Sequence, residues 1–144
     1  MSLKDQIYTP SQQTIIQQVQ VNLPLIMLAE DAWQDLVFAL DLNPEIGLDA
    51  MALDRFGLSD FSRIAEKLHD HGLSITIHGP FLDLSPGSPD PAIRDTTCRR
   101  FEQMINAVAA FRPKTVVCHA AYDAYRYDFC RDEWYAKSLE TWQW

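Results

Sequence analysis

Apolar residues fall into two kinds of cluster along this chain, and the two kinds alternate. VNLPLIML, beginning at Val21, is a short apolar run opened by a β-branched residue, the pattern of a strand buried on both faces. Glu30 and Asp31 then open a stretch with Trp33, Leu36, Val37 and Leu40 at i, i+3, i+4 and i+7, which predicts an amphipathic helix. PEIGLDAMAL holds a second short strand. Ser59 is a suitable N-cap for a helix with Phe61, Ile64, Ala65 and Leu68 on one face, and Gly72 supplies its C′ stop. LSITIH is the third strand, and its continuation GPFLDLSPGSPD is too rich in Pro and Gly to be regular. Asp90 caps a long helix with Pro91 at the first position and a stripe of Phe101, Met104, Ile105, Val108 and Ala109. KTVVCH is the fourth strand. Asp132 caps a last helix with Tyr135, Leu139 and Trp142 on one side.

Strand and helix alternating four times predicts an α/β fold with a parallel sheet built of βα repeats. The units recur at about 25 to 40 residues, as βαβ units do. Residues 1–20 form a polar, glutamine-rich N-terminal segment unsuited to a core, and residues 21–144 carry the repeats with no linker between them. Four units are about half of the ~250 residues of a (β/α)8 TIM barrel. The chain also closes on Trp142-Gln143-Trp144 without a polar tail. The expectation is therefore a (β/α)4 half-barrel, the N-terminal part of a larger TIM barrel. Such a half leaves its first and fourth strands unpaired, which predicts self-association through exposed sheet edges.

Composition narrows the class. Hydrophobic residues make up 47% and charged residues 22% of 144, which excludes wholesale disorder and fibrous structure. The longest apolar run, Leu23 to Leu28, falls far short of the ~18–20 residues that span a bilayer, and no secretory signal opens the chain. Cys98, Cys118 and Cys130 are too scattered for a disulfide framework or a CxxC zinc site. A soluble, reduced, cytoplasmic protein is expected. Twelve Lys and Arg stand against 20 Asp and Glu, a net charge of −8, so a phosphate backbone is repelled and nucleic acid is disfavoured as a partner.

Two histidines occupy the positions where parallel sheets carry function. His78 closes LSITIH and His119 closes KTVVCH, each at the carboxyl end of a strand. A neutral imidazole there can hold a divalent metal or bond a substrate oxygen. A lone histidine of this kind is commonly just hydrogen-bonded at the sheet edge, but two on neighbouring strands, each before a small-residue loop, favour the functional reading. The loop from Gly79 to Asp90 runs into a helix N-terminus, where an anion could bind unless Asp90 fills its own cap. Glu45 and Asp49 flank the second strand and Asp54 lies in the loop beyond it. Asp123 and Tyr122 follow His119. Of these, Glu45 and Asp123, with Asp83 of the loop after His78, are the candidate substrate contacts. His69 and His71 fall in the last turn of a helix, two apart and not facing each other, so they read as structural. Cys118 points away from His119, toward the helices, and reads as core. No GxSxG, GxGxxG or GxxxxGK[ST] motif is present.

ITIHGPFLDLSPGSPDPAIRDTT, an arginine-containing helix and KTVVCHAAYD together resemble the N-terminal half of the xylose isomerase-like TIM barrels. That superfamily includes sugar isomerases and epimerases and the endonuclease IV-type AP endonucleases. In it the third strand ends in a histidine followed by a small residue, Pro and an aromatic, which matches His78, Gly79, Pro80 and Phe81. The fourth ends in a histidine before a short loop, which matches His119. PEIGLD resembles the second strand, with Glu45 as its acidic residue. The likeness spans roughly residues 21–142.

The resemblance implies a divalent metal (Zn, Mn or Mg) at the top of a complete barrel. In the isomerases and epimerases most metal ligands lie on strands five to eight, whereas in the endonuclease-type members the histidines matching His78 and His119 are themselves ligands. This chain supplies at most two ligands per copy, fewer than the three protein groups that catalytic metals usually hold. The first reading is a metal-dependent sugar or sugar-phosphate isomerase or epimerase, acting on a small sugar or phosphoester by proton abstraction next to a carbonyl. The second is a metal-dependent phosphodiesterase or AP-endonuclease-like hydrolase. The third is a non-catalytic half-barrel that dimerises.

Overall fold

Four strands share one parallel sheet in the order β1-β2-β3-β4: β1 (Val21–Pro24), β2 (Pro44–Gly47), β3 (Thr76–His78) and β4 (Thr115–Val117). The computed structural model describes residues 2–143; Met1 and Trp144, the latter part of the aromatic chain end noted above, lie outside the described residues. The register aligns Leu23, Ile46, Ile77 and Val116 across the sheet, one residue from each strand. Leu23, Ile46 and Ile77 are buried, and this face carries the helices. One position earlier Asn22, Glu45, Thr76 and Thr115 align, and one later Gly47, His78 and Val117. Side chains alternate along a strand, so Glu45, Thr76 and His78 share the opposite, polar face.

The alternation of strand and helix is as predicted, with the elements shorter than their apolar runs. VNLPLIML is not one strand. Pro24 has no N–H to donate, and Leu25–Leu28 turn into a helical turn, α3 if the N-terminal α1 (Leu3–Ile7) and α2 (Pro10–Ile16) are counted. Leu25 and Leu28 are wholly buried by that turn, while Val21 and Asn22 are exposed. In α4 (Asp31–Leu40) the buried face is Gln34, Val37 and Leu40, and Leu36 lies outside it. Gln34 is held there because its amide donates to Leu28 O at 2.8 Å and accepts from Lys67 at 2.7 Å, which satisfies a buried polar group.

The short α5 (Ala50–Arg55) precedes α6 (Leu58–Asp70), which buries Phe61, Ile64, Ala65 and Leu68 as predicted. Its N-cap is Gly57, with Asp60 accepting from the Gly57 N–H at 3.2 Å, so Ser59 lies inside the helix. Gly72 adopts φ 70° just after it, the left-handed stop a glycine provides. α7 (Pro91–Phe111) begins as expected: Asp90 accepts from the Ala92 N–H at 2.9 Å. Phe101, Met104 and Phe111 are buried, whereas Ile105 is half exposed. After α8 (Ala124–Tyr127) and a 3-10 turn (Asp128–Cys130), α9 (Arg131–Gln143) presents a face other than the one expected. Trp134, Ser138 and Thr141 are buried; Tyr135, Leu139 and Trp142 are exposed. The partner decides this. Trp134 fills the space beside Gly87, and Thr141 Oγ1 donates to Pro86 O at 2.8 Å, so the helix grips the loop after β3.

The N-terminal segment is tied to the amino ends of the strands. Asn43 donates to Gln17 O at 3.0 Å and accepts from the Ser74 N–H at 2.7 Å. The Gln20 amide, with its nitrogen toward Ser74 O and Pro44 O (3.1 Å each), accepts from Lys114 Nζ at 3.0 Å. These bonds close the end of the sheet opposite the histidines. Among the described residues no helix is long and apolar enough to cross a membrane.

Candidate functional site

His78 ends β3, and its carbonyl continues the sheet by accepting from the Leu48 N–H at 2.9 Å. The next residue extends the pairing on the other side: Gly79 N donates to Val117 O at 2.8 Å. A Cβ at residue 79 would lie 2.7 Å from Met104 Sδ and 3.3 Å from Cys118 Sγ, so glycine lets the chain run this close to β4 without displacing those side chains. Pro80 then turns the backbone, and the Phe81 ring comes to rest over the carboxyl ends of β3 and β4.

Continuing the alternation past Val117 puts His119 on the face of His78. The two rings meet there: His78 Nε2 and His119 Nε2 are 3.0 Å apart. His78 Nδ1 lies 3.1 Å from Gly79 O. A carbonyl can only accept, so Nδ1 donates to it, which in the uncharged tautomer places the lone pair on Nε2, directed at His119. Phe81 packs on both rings, stacked on His119 (centroids 4.7 Å apart, 28° between planes) and edge-on to His78 (5.2 Å, 77°).

The donor set suits a cation. Two imidazole nitrogens on one metal at about 2.0–2.1 Å are separated by about 2.8–3.0 Å at a right angle and about 3.3–3.4 Å at the tetrahedral angle. The observed 3.0 Å falls at the short end of that span. No third histidine, cysteine or carboxylate joins them: among the described residues no group of three such side chains is placed to hold a metal.

The other candidates are dispersed. Glu45 lies on the polar face, level with Thr76 and below His78, and accepts from Asn22 Nδ2 at 3.0 Å. Asp83 is exposed in the loop after Phe81 with φ 58°, and makes no hydrogen bond or ion pair with the described residues. Asp123 caps α8, accepting from the Tyr125 N–H at 2.9 Å, and pairs with Arg126 at 3.4 Å. Asp49 caps α5 through the Ala52 N–H at 2.7 Å. Asp54 lies within α5, not in a loop, and is bound by Arg100 and Gln103 of α7. Tyr122 packs edge-on against Trp134. Asp90 fills its own helix cap, as one of the two alternatives for that loop had it.

His69 and His71 are structural, as their helical spacing indicated. His69 Nε2 reaches Phe111 O at 3.0 Å; His71 Nδ1 reaches Lys67 O at 2.8 Å, and its ring stacks on Phe38 at 3.8 Å. Cys118 is not core: the residue as a whole is exposed, just past the end of β4, the strand that among the described residues has a neighbour on one side only. Its sulfur nonetheless lies against Gly79, and that local burial pushes the thiol up from its ordinary value. Phe81 is the site residue whose role the sequence did not reveal. Its place after His-Gly-Pro was the available signal, but only the fold shows which ring it covers.

Residues 40–143 match the xylose isomerase-like TIM barrel family, and the chain belongs to it. Comparison with solved structures adds the fold. A D-tagatose 3-epimerase-like protein superposes with a TM-score of 0.63 at 17% identity, over 87% of this chain and 46% of that one. A D-psicose 3-epimerase, solved in the presence of D-fructose, superposes with a TM-score of 0.56 at 16% identity, over 85% and 46%. The chain thus spans about half the length of these barrels, and its four parallel strands with their helices match part of a TIM barrel. Comparison with curated protein sequences finds no match.

Proposed function

We propose that this chain forms one side of the site of a metal-dependent sugar or sugar-phosphate isomerase or epimerase, with His78 and His119 holding a divalent zinc, manganese or magnesium ion. The observation that carries the reading is the convergence of two Nε2 atoms at 3.0 Å at the carboxyl ends of neighbouring strands. Kinship with xylose isomerase-like barrels and the epimerase names of the structural neighbours supply the reaction class. Bound there, a divalent cation would polarise a carbonyl oxygen and stabilise the charge left when the neighbouring carbon loses its proton. The Gly79 carbonyl keeps His78 in the tautomer that ligation needs. Glu45, on the same face, and Asp83 and Asp123, on the loops beyond the histidines, are the side chains proposed to meet the sugar hydroxyls. Further ligands and the general base come from outside these 144 residues, since two imidazoles alone make a weak site.

Hydrolysis of a small phosphodiester is the second reading. It is favoured by the same pair, because in the endonuclease-type relatives the matching histidines ligate metal directly. The net charge of −8 argues against DNA as the ester.

Incubation of the complete barrel, these 144 residues together with the strands that supply the base and remaining ligands, in D2O with Mn2+ and a ketohexose such as D-psicose or D-fructose, followed by NMR, separates the readings. Deuterium entering at C3, and absent with His78→Ala, supports the epimerase. Metal-dependent cleavage of bis(p-nitrophenyl) phosphate without exchange moves the assignment to the hydrolase. Neither activity, with or without metal, overturns both.

A further inference from the structure

The two histidines of the pair are held unequally. His78 is half-buried, its backbone belongs to the sheet, and its Nδ1 is fixed by Gly79 O. His119 is exposed, stands two residues beyond the end of β4, and has no hydrogen bond to the described residues other than the one to His78. Metal-ligating histidines almost always have the second ring nitrogen held by a carboxylate, carbonyl or water, which sets the direction of the ligating nitrogen. Among the described residues His119 has no such protein group. The Phe81 ring instead covers one face of the imidazole, 28° from parallel with centroids 4.7 Å apart.

We infer that Phe81 is a positioning residue for His119, replacing by ring stacking the hydrogen bond that orients its partner. The inference rests on the metal reading for its consequence, though not for its geometry. Stacking of two rings restricts rotation about the imidazole's χ2 and shields one of its faces from water. Phe81 can do this because its own position is determined. Gly79 holds the chain against β4 through Val117 O, and Leu84 N donates back to Phe81 O at 3.3 Å. Further along the same loop, Ser85 N donates to Thr97 Oγ1 at 3.0 Å and Thr141 bonds Pro86 O. Phe81 remains half exposed, so its contact with the histidines is not a by-product of core packing.

The test is a series at residue 81 on the full chain, read in two ways. In the metal-free protein, NMR should show the His119 ring protons shifted by the Phe81 ring current and linked to it by NOEs. Phe81→Leu should abolish the shift and leave two or more His119 rotamers, without lowering the unfolding temperature. In Zn2+ titrations, Phe81→Leu should weaken binding about tenfold, the lower end for loss of an orienting partner. Phe81→Tyr, which restores a ring face, should return affinity to within about twofold of wild type. Unchanged zinc affinity and unchanged His119 shifts in Phe81→Leu would overturn the inference, as would equal loss in Leu and Tyr. If wild type binds no zinc, the metal reading fails and the NMR comparison alone decides whether Phe81 orients His119.

Discussion

His78 Nε2 and His119 Nε2 stand 3.0 Å apart although 41 positions separate the residues in the chain. The shared face follows from the register. His78 pairs with Val117, two residues short of His119, so one step of the strand repeat returns the second imidazole to the same side of the sheet as the first. Elemental analysis of the purified complete barrel, with its remaining ligands present, should find near-stoichiometric divalent metal, reduced more than about tenfold in His78→Ala and in His119→Ala. Metal retained in both variants would make the histidines substrate contacts.

Gly87 and Gly79 should respond differently to alanine. At Gly87 a Cβ would collide with the ring and the carbonyl oxygen of Trp134, neither of which can swing aside. Gly87→Ala should cost roughly 1–3 kcal/mol in urea denaturation. At Gly79 the tightest obstacle is the Met104 thioether, the flexible part of an adaptable side chain. Gly79→Ala should therefore be the milder of the two in stability. Equal losses would mean that the Trp134 contact is looser than it stands.

Arg100 beside Asp54, aided by Gln103, holds the Asp54 carboxyl below its ordinary value. A carboxylate depressed in the folded state stabilises above its unfolded pKa, and that contribution fades as pH falls through the folded one. Asp54→Asn should lower the unfolding temperature at pH 7, and the gap to wild type should close on acidification. The effect is small because the pair is largely in solvent. A gap constant from pH 7 to pH 2 would show that the bond between α5 and α7 is not charge-dependent.

β1 and β4 each have a strand neighbour on one side only among the described residues, and Val21 and Val117 are exposed on them. We propose that the 144-residue chain self-associates along these edges. Light scattering after size exclusion should give at least twice 16.5 kDa, reverting toward that mass in Val117→Lys. A monomer at micromolar concentration would remove the proposal. An unaffected dimer in the variant would move the contact elsewhere, for instance to the exposed Tyr135, Leu139 and Trp142.

Where one helix face met one apolar layer, the sequence was sufficient. Phe61, Ile64, Ala65 and Leu68 repeat at helical spacing and are buried together, and Asp90-Pro91 begins the helix that its chemistry demands. The pattern failed where burial depends on a distant loop. Nothing local says that Trp134 and Thr141, rather than Tyr135 and Leu139, face inward, because the partner is the Pro86-Gly87 turn. Likewise Gln34 is buried by a carbonyl and a lysine that come from other segments. The histidine pair was legible from strand ends alone; Phe81 above it, and the caps and ion pairs that engage Asp49, Asp54 and Asp123, required the three-dimensional arrangement.

The bond from Thr141 to Pro86 reaches back across 55 residues, and it has a bearing on biosynthesis. At about 5–20 residues per second, a ribosome needs roughly 3–11 seconds after making Pro86 to deliver its anchor. Throughout that interval β1 to β3 and the long helix can settle against each other, while the turn that follows His78 waits for its clasp. The histidine end of the sheet is therefore the last part of this chain to mature during translation, and a nascent chain stalled before Trp134 would present a folded body with an unfastened mouth.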